Sequence, residues 1–169
     1  MIIFNKDYVH FFKSLNENIE SIFSITFAPK FIIRDASGAI RNAIQDVYGS
    51  RSKQIMCYFH VTQNVRKLKT LLNGDEKLYG QIIQDIRNLH NFNTEESYLI
   101  QLEIFKQKYE NNLQTEQFFV YFNKYWLDSA HNSWQLFHRP CGYACTNCPF
   151  ESYNSTLKKN NLQSLYYIT

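Results

Sequence analysis

The sequence predicts an α/β protein dominated by helices, and three observations predict it. Two short β-branched and aromatic runs, KFIIRD at 30–35 and QIMCYF at 54–59, bracket a segment of helical spacing. Apolar residues recur at the 3.6-residue period through most of the remaining chain. Only five glycines and three prolines interrupt 169 residues, so helices run with little punctuation.

The elements follow in order. Residues 6–23 carry Tyr8, Phe11, Phe12, Leu15, Ile19, Ile22 and Phe23 as an amphipathic stripe, with Asn5 or Asp7 as the cap. Ala28-Pro29 ends that helix, and the run at 30–35 is a buried strand that delivers Asp35 at its carboxyl end. Residues 37–48 set Ile40, Ala43, Ile44 and Val47 on one helical face, closed by Gly49-Ser50. The run at 54–59 is a second strand. Strand, helix and strand within so short a span form a βαβ unit, whose strands are parallel with a right-handed crossover. Both strands then end on one edge of the sheet, the edge where open α/β sheets bind ligands. Asp35, Cys57 and His60 all fall there.

From 61 to 127 the chain reads as helical. Val61, Val65, Leu68 and Leu72 form one stripe beside the basic run Arg66, Lys67 and Lys69, and Asn73-Gly74 breaks it. Leu78, Ile82, Ile83, Ile86 and Leu89 mark the next helix. Tyr98, Leu99, Leu102, Phe105 and Tyr109 mark another, and Phe118, Phe119, Phe122, Tyr125 and Trp126 a fourth. Such stripes are core. Residues 128–148 lack periodicity and read as loop.

The chain is one domain in length, and its 44% apolar and 17% aromatic content fills a sizeable core. A net charge of +3 with a pI near 8.6 is compatible with a nucleic-acid partner without implying one. No run reaches the roughly 18 uncharged apolar residues of a membrane span. MIIFNKDYVHFF is neither a signal peptide nor an anchor, so four cysteines point to a reducing, intracellular setting.

Three of the four cysteines, Cys141, Cys145 and Cys148, lie close together, and His131 or His138 would complete a zinc set. A second well-spaced pair is missing, and free thiols are the expectation. A final helix is expected from Pro149. It sets Glu151, Asn154, Ser155 and Lys158 on one face and Phe150, Tyr153 and Leu157 on the other. Cys57 and His60 read as half a metal site, a brace for a loop, or packed core. Arg66, Lys67, Lys69, Lys158 and Lys159 read either as DNA phosphate contacts or as solvated helix faces.

Taken together, the motifs resemble the transposase domain of Mutator-like elements, a branch of the DDE transposases. The resemblance runs from Tyr8 to about Lys159. Its carriers are Ile33-Arg34-Asp35 followed by Ala39 and Ala43-Ile44, then Cys57-Tyr58-Phe59-His60-Val61 followed by Gln63-Asn64. They continue with Thr146-Asn147, Glu151-Ser152, Asn154 and Lys158. The resemblance implies a partial ribonuclease-H-like core, 1–60, interrupted by an α-helical insertion, 61–127, and completed by a loop and helix, 128–169. It makes Asp35 and Glu151 the second and third catalytic acids, holding Mg²⁺ or Mn²⁺ for DNA cleavage and strand transfer. Cys57, His60, Asn147, Asn154 and Lys158 match family positions near that site. Transposon-end DNA, with self-association or another transposase chain, is the implied partner, and the nucleus the implied location. Zinc has no part in it. The family's first acid lies on a strand upstream of the helix at 6–23, and Asp7, at a helix start, is no substitute for it. The chain alone is therefore expected to be inactive, and the other expectation is a non-catalytic DNA- or protein-binding module.

Overall fold

The computed structural model describes residues 4–140 and Gly142. Helix α1 (Asn5–Phe23) starts where the Asp7 carboxylate accepts the Phe4 amide at 2.9 Å, and it ends at Ser24 with φ of 55°. It packs on α2 (Gly38–Tyr48), with the Phe12 and Tyr48 rings edge to face at 5.7 Å. Tyr48 also donates its hydroxyl to the Asn16 side chain at 2.9 Å. The apolar stripe expected on α1 is only partly covered: Phe11, Ile22 and Phe23 are exposed.

Strand β1 (Phe31–Arg34) leads through Asp35 and Ser37 into α2, where the Ser37 hydroxyl accepts the Ile40 amide at the cap. A glycine closes α2 because Gly49 adopts φ of 59°, and a short 3₁₀ turn, Gly49–Arg51, then feeds β2 (Lys53–Met56). The strands pair in parallel, Phe31 with Lys53 through Arg34 with Met56, as the βαβ reading requires. On the outer edge of β2 the strand bonds to Ser133, in the stretch from 128 onward. The Met56 amide donates to the Ser133 carbonyl at 3.2 Å and to its hydroxyl at 3.1 Å. That hydroxyl in turn donates to the Gln54 carbonyl at 3.1 Å.

The second strand is shorter than the sequence suggests. It stops at Met56, and Cys57 caps helix α3 (Tyr58–Lys67), accepting the His60 amide at 3.1 Å. Tyr58 and Phe59 favour strands intrinsically, but packing overrides that preference. As helical residues they bring Val61 and Val65 into the core and lay Tyr58 flat against His90 at 3.6 Å. After Lys67 the chain tightens into a 3₁₀ turn, Leu68–Leu72, that buries Leu72 before Asn73 turns left-handed.

Helices α4 (Glu76–Asn91) and α5 (Glu95–Tyr109) are capped by the Asp75 and Thr94 side chains, which accept the Leu78 and Ser97 amides. On α5 the buried stripe is Tyr98, Phe105 and Tyr109, while Leu99, expected among them, is 54% exposed. One residue on from Tyr98 it points about 100° away from the stripe. Helix α6 (Glu116–Phe122) runs into a π turn, Asn123–Leu127, which buries both Trp126 and Leu127. The stretch from 128 is not mere loop. Trp134 is 1% exposed, donates its indole N–H to the Trp126 carbonyl at 2.8 Å, and joins Phe122, Ile86 and Val65 in one core. A 3₁₀ turn follows at Leu136–His138.

Candidate functional site at the carboxyl edge of the sheet

Asp35 stands one residue past β1, partly exposed, at the edge the βαβ reading selects. Its Oδ1 accepts the Ser37 amide at 2.8 Å, a local turn that orients the carboxylate as the chain enters α2. The Cys57 amide donates to the Arg34 carbonyl at 2.8 Å, so Asp35 and Cys57 flank the same inter-strand bond. Cys57 is fully buried, and His60 sits in the first turn of α3 beside it. Three of the expected residues therefore meet at one edge.

Arg34, immediately before Asp35, was named only as part of a motif and given no role of its own. It is 3% exposed, and its guanidinium makes four hydrogen bonds. Nε donates to the Gln54 side-chain oxygen at 2.7 Å, Nη1 to the Asp35 carbonyl at 2.8 Å, and Nη2 to the Ala130 carbonyl at 2.7 Å. Nη1 also lies 3.1 Å from His131 Nδ1. A guanidinium only donates, so His131 must accept there and carry its proton on Nε2. Burial and then the Arg34 and Arg41 charges push the His131 pKa down, against Asp35, which raises it. Burial, then Arg41, also lowers the Arg34 pKa. The signal for this cluster was present in KFIIRD, as a charge inside an otherwise apolar strand. Its pairing with Ala130 and His131, about a hundred residues downstream, had no signal.

The basic residues divide. Arg66 and Lys67 are exposed in the last turn of α3, roughly 13 Å along the helix from Cys57. Lys69 instead pairs with Glu76 and lies 5.4 Å from the centre of the Tyr79 ring. Asn147, Glu151, Asn154, Lys158 and Lys159 lie outside the described residues, as do Cys141, Cys145 and Cys148. Among the described residues, no group of three or more His, Cys, Asp or Glu side chains could hold a metal ion. Asp35 fits a hard divalent cation by donor type, with Oδ1 tied to Ser37 and Oδ2 bonded to no described residue. No helix among the described residues is long and apolar enough to cross a membrane.

No curated protein and no solved structure matches the chain. A family match is found across the segment that holds α1, the βαβ unit and most of α3, and so includes Asp35, Cys57 and His60. Residues 4–64 match the MULE transposase domain.

Proposed function

We propose that the chain is part of a ribonuclease-H-like DDE transposase domain acting on transposon-end DNA in the nucleus, and that Asp35 and Glu151 are two of its metal-holding acids. The proposed division is a core at 1–60, a helical insertion at 61–127 and a closing segment at 128–169. The observation that carries the reading is the setting of Asp35. It is an accessible carboxylate at the carboxyl edge of a parallel βαβ unit, oriented by the Ser37 amide, inside the segment that matches the MULE transposase domain.

DNA cleavage and joining are in-line phosphoryl transfers in which charge grows on the attacking and leaving oxygens. Mg²⁺ or Mn²⁺, when bound, would stabilise that charge. The chain's own part is to hold two hard oxygen donors, Asp35 and Glu151, and to fix the sheet edge through Cys57 and His60. Acids ahead of Asp35 do not add a third donor, since Asp7, Glu17 and Glu20 all lie on α1 and Asp7 caps it.

Strand transfer measured on end-bearing DNA with Mg²⁺ or Mn²⁺ tests it. No turnover is expected from the isolated chain, and turnover abolished by Asp35→Ala would overturn that expectation. Asp35→Ala and Glu151→Ala should each weaken Mn²⁺ binding. A second reading is a non-catalytic DNA- or protein-binding module, and the exposed Arg66 and Lys67 in the last turn of α3 favour its DNA-binding form. It predicts salt-sensitive DNA binding with no loss on Glu151→Ala and no divalent-metal affinity.

A further inference from the structure

We propose that the cleft between α2, β2 and residues 130–133 is a phosphate-binding pocket, with Arg34 as its fixed charge and Arg41 as its mobile one. The cleft has a volume of about 450 Å³. Arg34, Arg41, Asn42, Gln45, Ser50 and Asn132 are among the residues that line it, and its lining contains no carboxylate. Two cations and several neutral donors face one space. That is the donor set for an oxyanion.

Arg34 supplies the stronger reason. Buried charges are normally paired, because an isolated ion in a protein interior is costly. Yet the four acceptors around this buried guanidinium are an amide oxygen, two backbone carbonyls and an imidazole nitrogen, all neutral. No ion pair joins Arg34 to a carboxylate among the described residues. Its geometry is fixed from β2 on one side and from the 130–131 turn on the other, so it is held in place before any ligand arrives. Arg41 is less buried, one turn into α2, and among the described residues its guanidinium hydrogen-bonds only the neighbouring Asn42 oxygen, at 3.3 Å. Ser52 and Ser133 face the same cleft but donate their hydroxyls to the Pro29 and Gln54 carbonyls. Recognition therefore falls to the arginines and the amides.

The chemistry is shared by a polynucleotide backbone and by free phosphate, and the backbone source rests on the DNA reading above. Arg34 adjoins Asp35 in the chain, so a phosphate held in this cleft would fix the register of a strand passing the carboxyl edge.

The test uses the full chain and two variants, Arg41→Gln and Gln45→Glu, both at side chains that carry no long-range hydrogen bond. Fluorescence anisotropy on a labelled duplex, repeated over a salt series, measures the first arm. Arg41→Gln should weaken binding about three- to tenfold and lower the salt slope by about one, as expected for one lost phosphate contact. Gln45→Glu, which puts a carboxylate in the cleft, should weaken it further. Thermal melting in inorganic phosphate against chloride at equal ionic strength measures the second arm, with stabilisation by phosphate expected for the parent chain alone. Phosphate stabilisation that depends on Arg41, without DNA binding, would support the pocket and sink the DNA reading. DNA binding with affinity and slope unchanged in both variants would overturn the pocket and leave the DNA reading standing. Binding of neither ligand would overturn both.

Discussion

Acidification should destabilise this protein through His90. The side chain is 5% exposed, stacked on Tyr58 at 3.6 Å, and its Nδ1 lies 2.7 Å from the Trp134 carbonyl. A carbonyl only accepts, so Nδ1 carries the proton of a neutral imidazole. Burial, aided by the Arg139 charge and outweighing the Trp134 bond, drops the His90 pKa from 6.5 to about 4. The unfolded chain therefore binds a proton between roughly pH 6.5 and pH 4 that the folded chain refuses. Stability must fall as pH falls through that window, and flatten below it. A shift of that size corresponds to about 3 kcal/mol, a large share of the 5–15 kcal/mol typical of a domain. Urea denaturation at constant ionic strength, from pH 7 to pH 4, measures it against His90→Gln. That variant keeps an N–H for the Trp134 carbonyl and cannot titrate. Carboxylates, His131 and His138 act in both proteins and cancel in the comparison. The parent chain should lose about 3 kcal/mol more than the variant over the range. Parallel pH profiles for the two proteins would refute the reasoning.

Three further outcomes follow from packing and capping. Phe122→Ala removes a fully buried ring packed against Phe105, Phe118 and Trp134, and should cost about 3–5 kcal/mol in urea denaturation. Asp75→Ala removes the acceptor of the Leu78 amide at 2.9 Å and should cost about 1 kcal/mol, with α4 fraying first in hydrogen exchange. Asp85→Ala strands the buried Tyr109 hydroxyl, which donates to Asp85 at 2.7 Å, and should cost about 1–3 kcal/mol. Because burial, and then Asp85, raise the Tyr109 pKa, the same variant should bring its phenol titration back toward the ordinary range in ultraviolet absorbance.

The βαβ unit was legible because its information is local. Two β-branched runs and a helical stripe suffice, and together they deliver Asp35, Cys57 and His60 to one edge. The end of β2 was not legible, because Tyr58 and Phe59 are strand formers that become helical only through contacts with His90 and the α4 face. Trp134 escaped for a related reason. A single aromatic in an aperiodic stretch gives no period to count, and its burial depends on Trp126 and Phe122. Arg34 stood in view within the strand, but the meaning of its charge depends on Ala130 and His131, 96 and 97 positions away.

Ser133 has a consequence beyond the site. A two-stranded sheet with bare margins is a template on which another copy of the same chain can add a strand, and such stacking is how soluble proteins are lost to fibres. Here one serine occupies the outward amide of Met56 and the outward carbonyl of Gln54 together. With those two groups already satisfied from within, a strand added along this margin would have to displace Ser133 first, so the segment that buries Trp134 also competes with edge-to-edge pairing there.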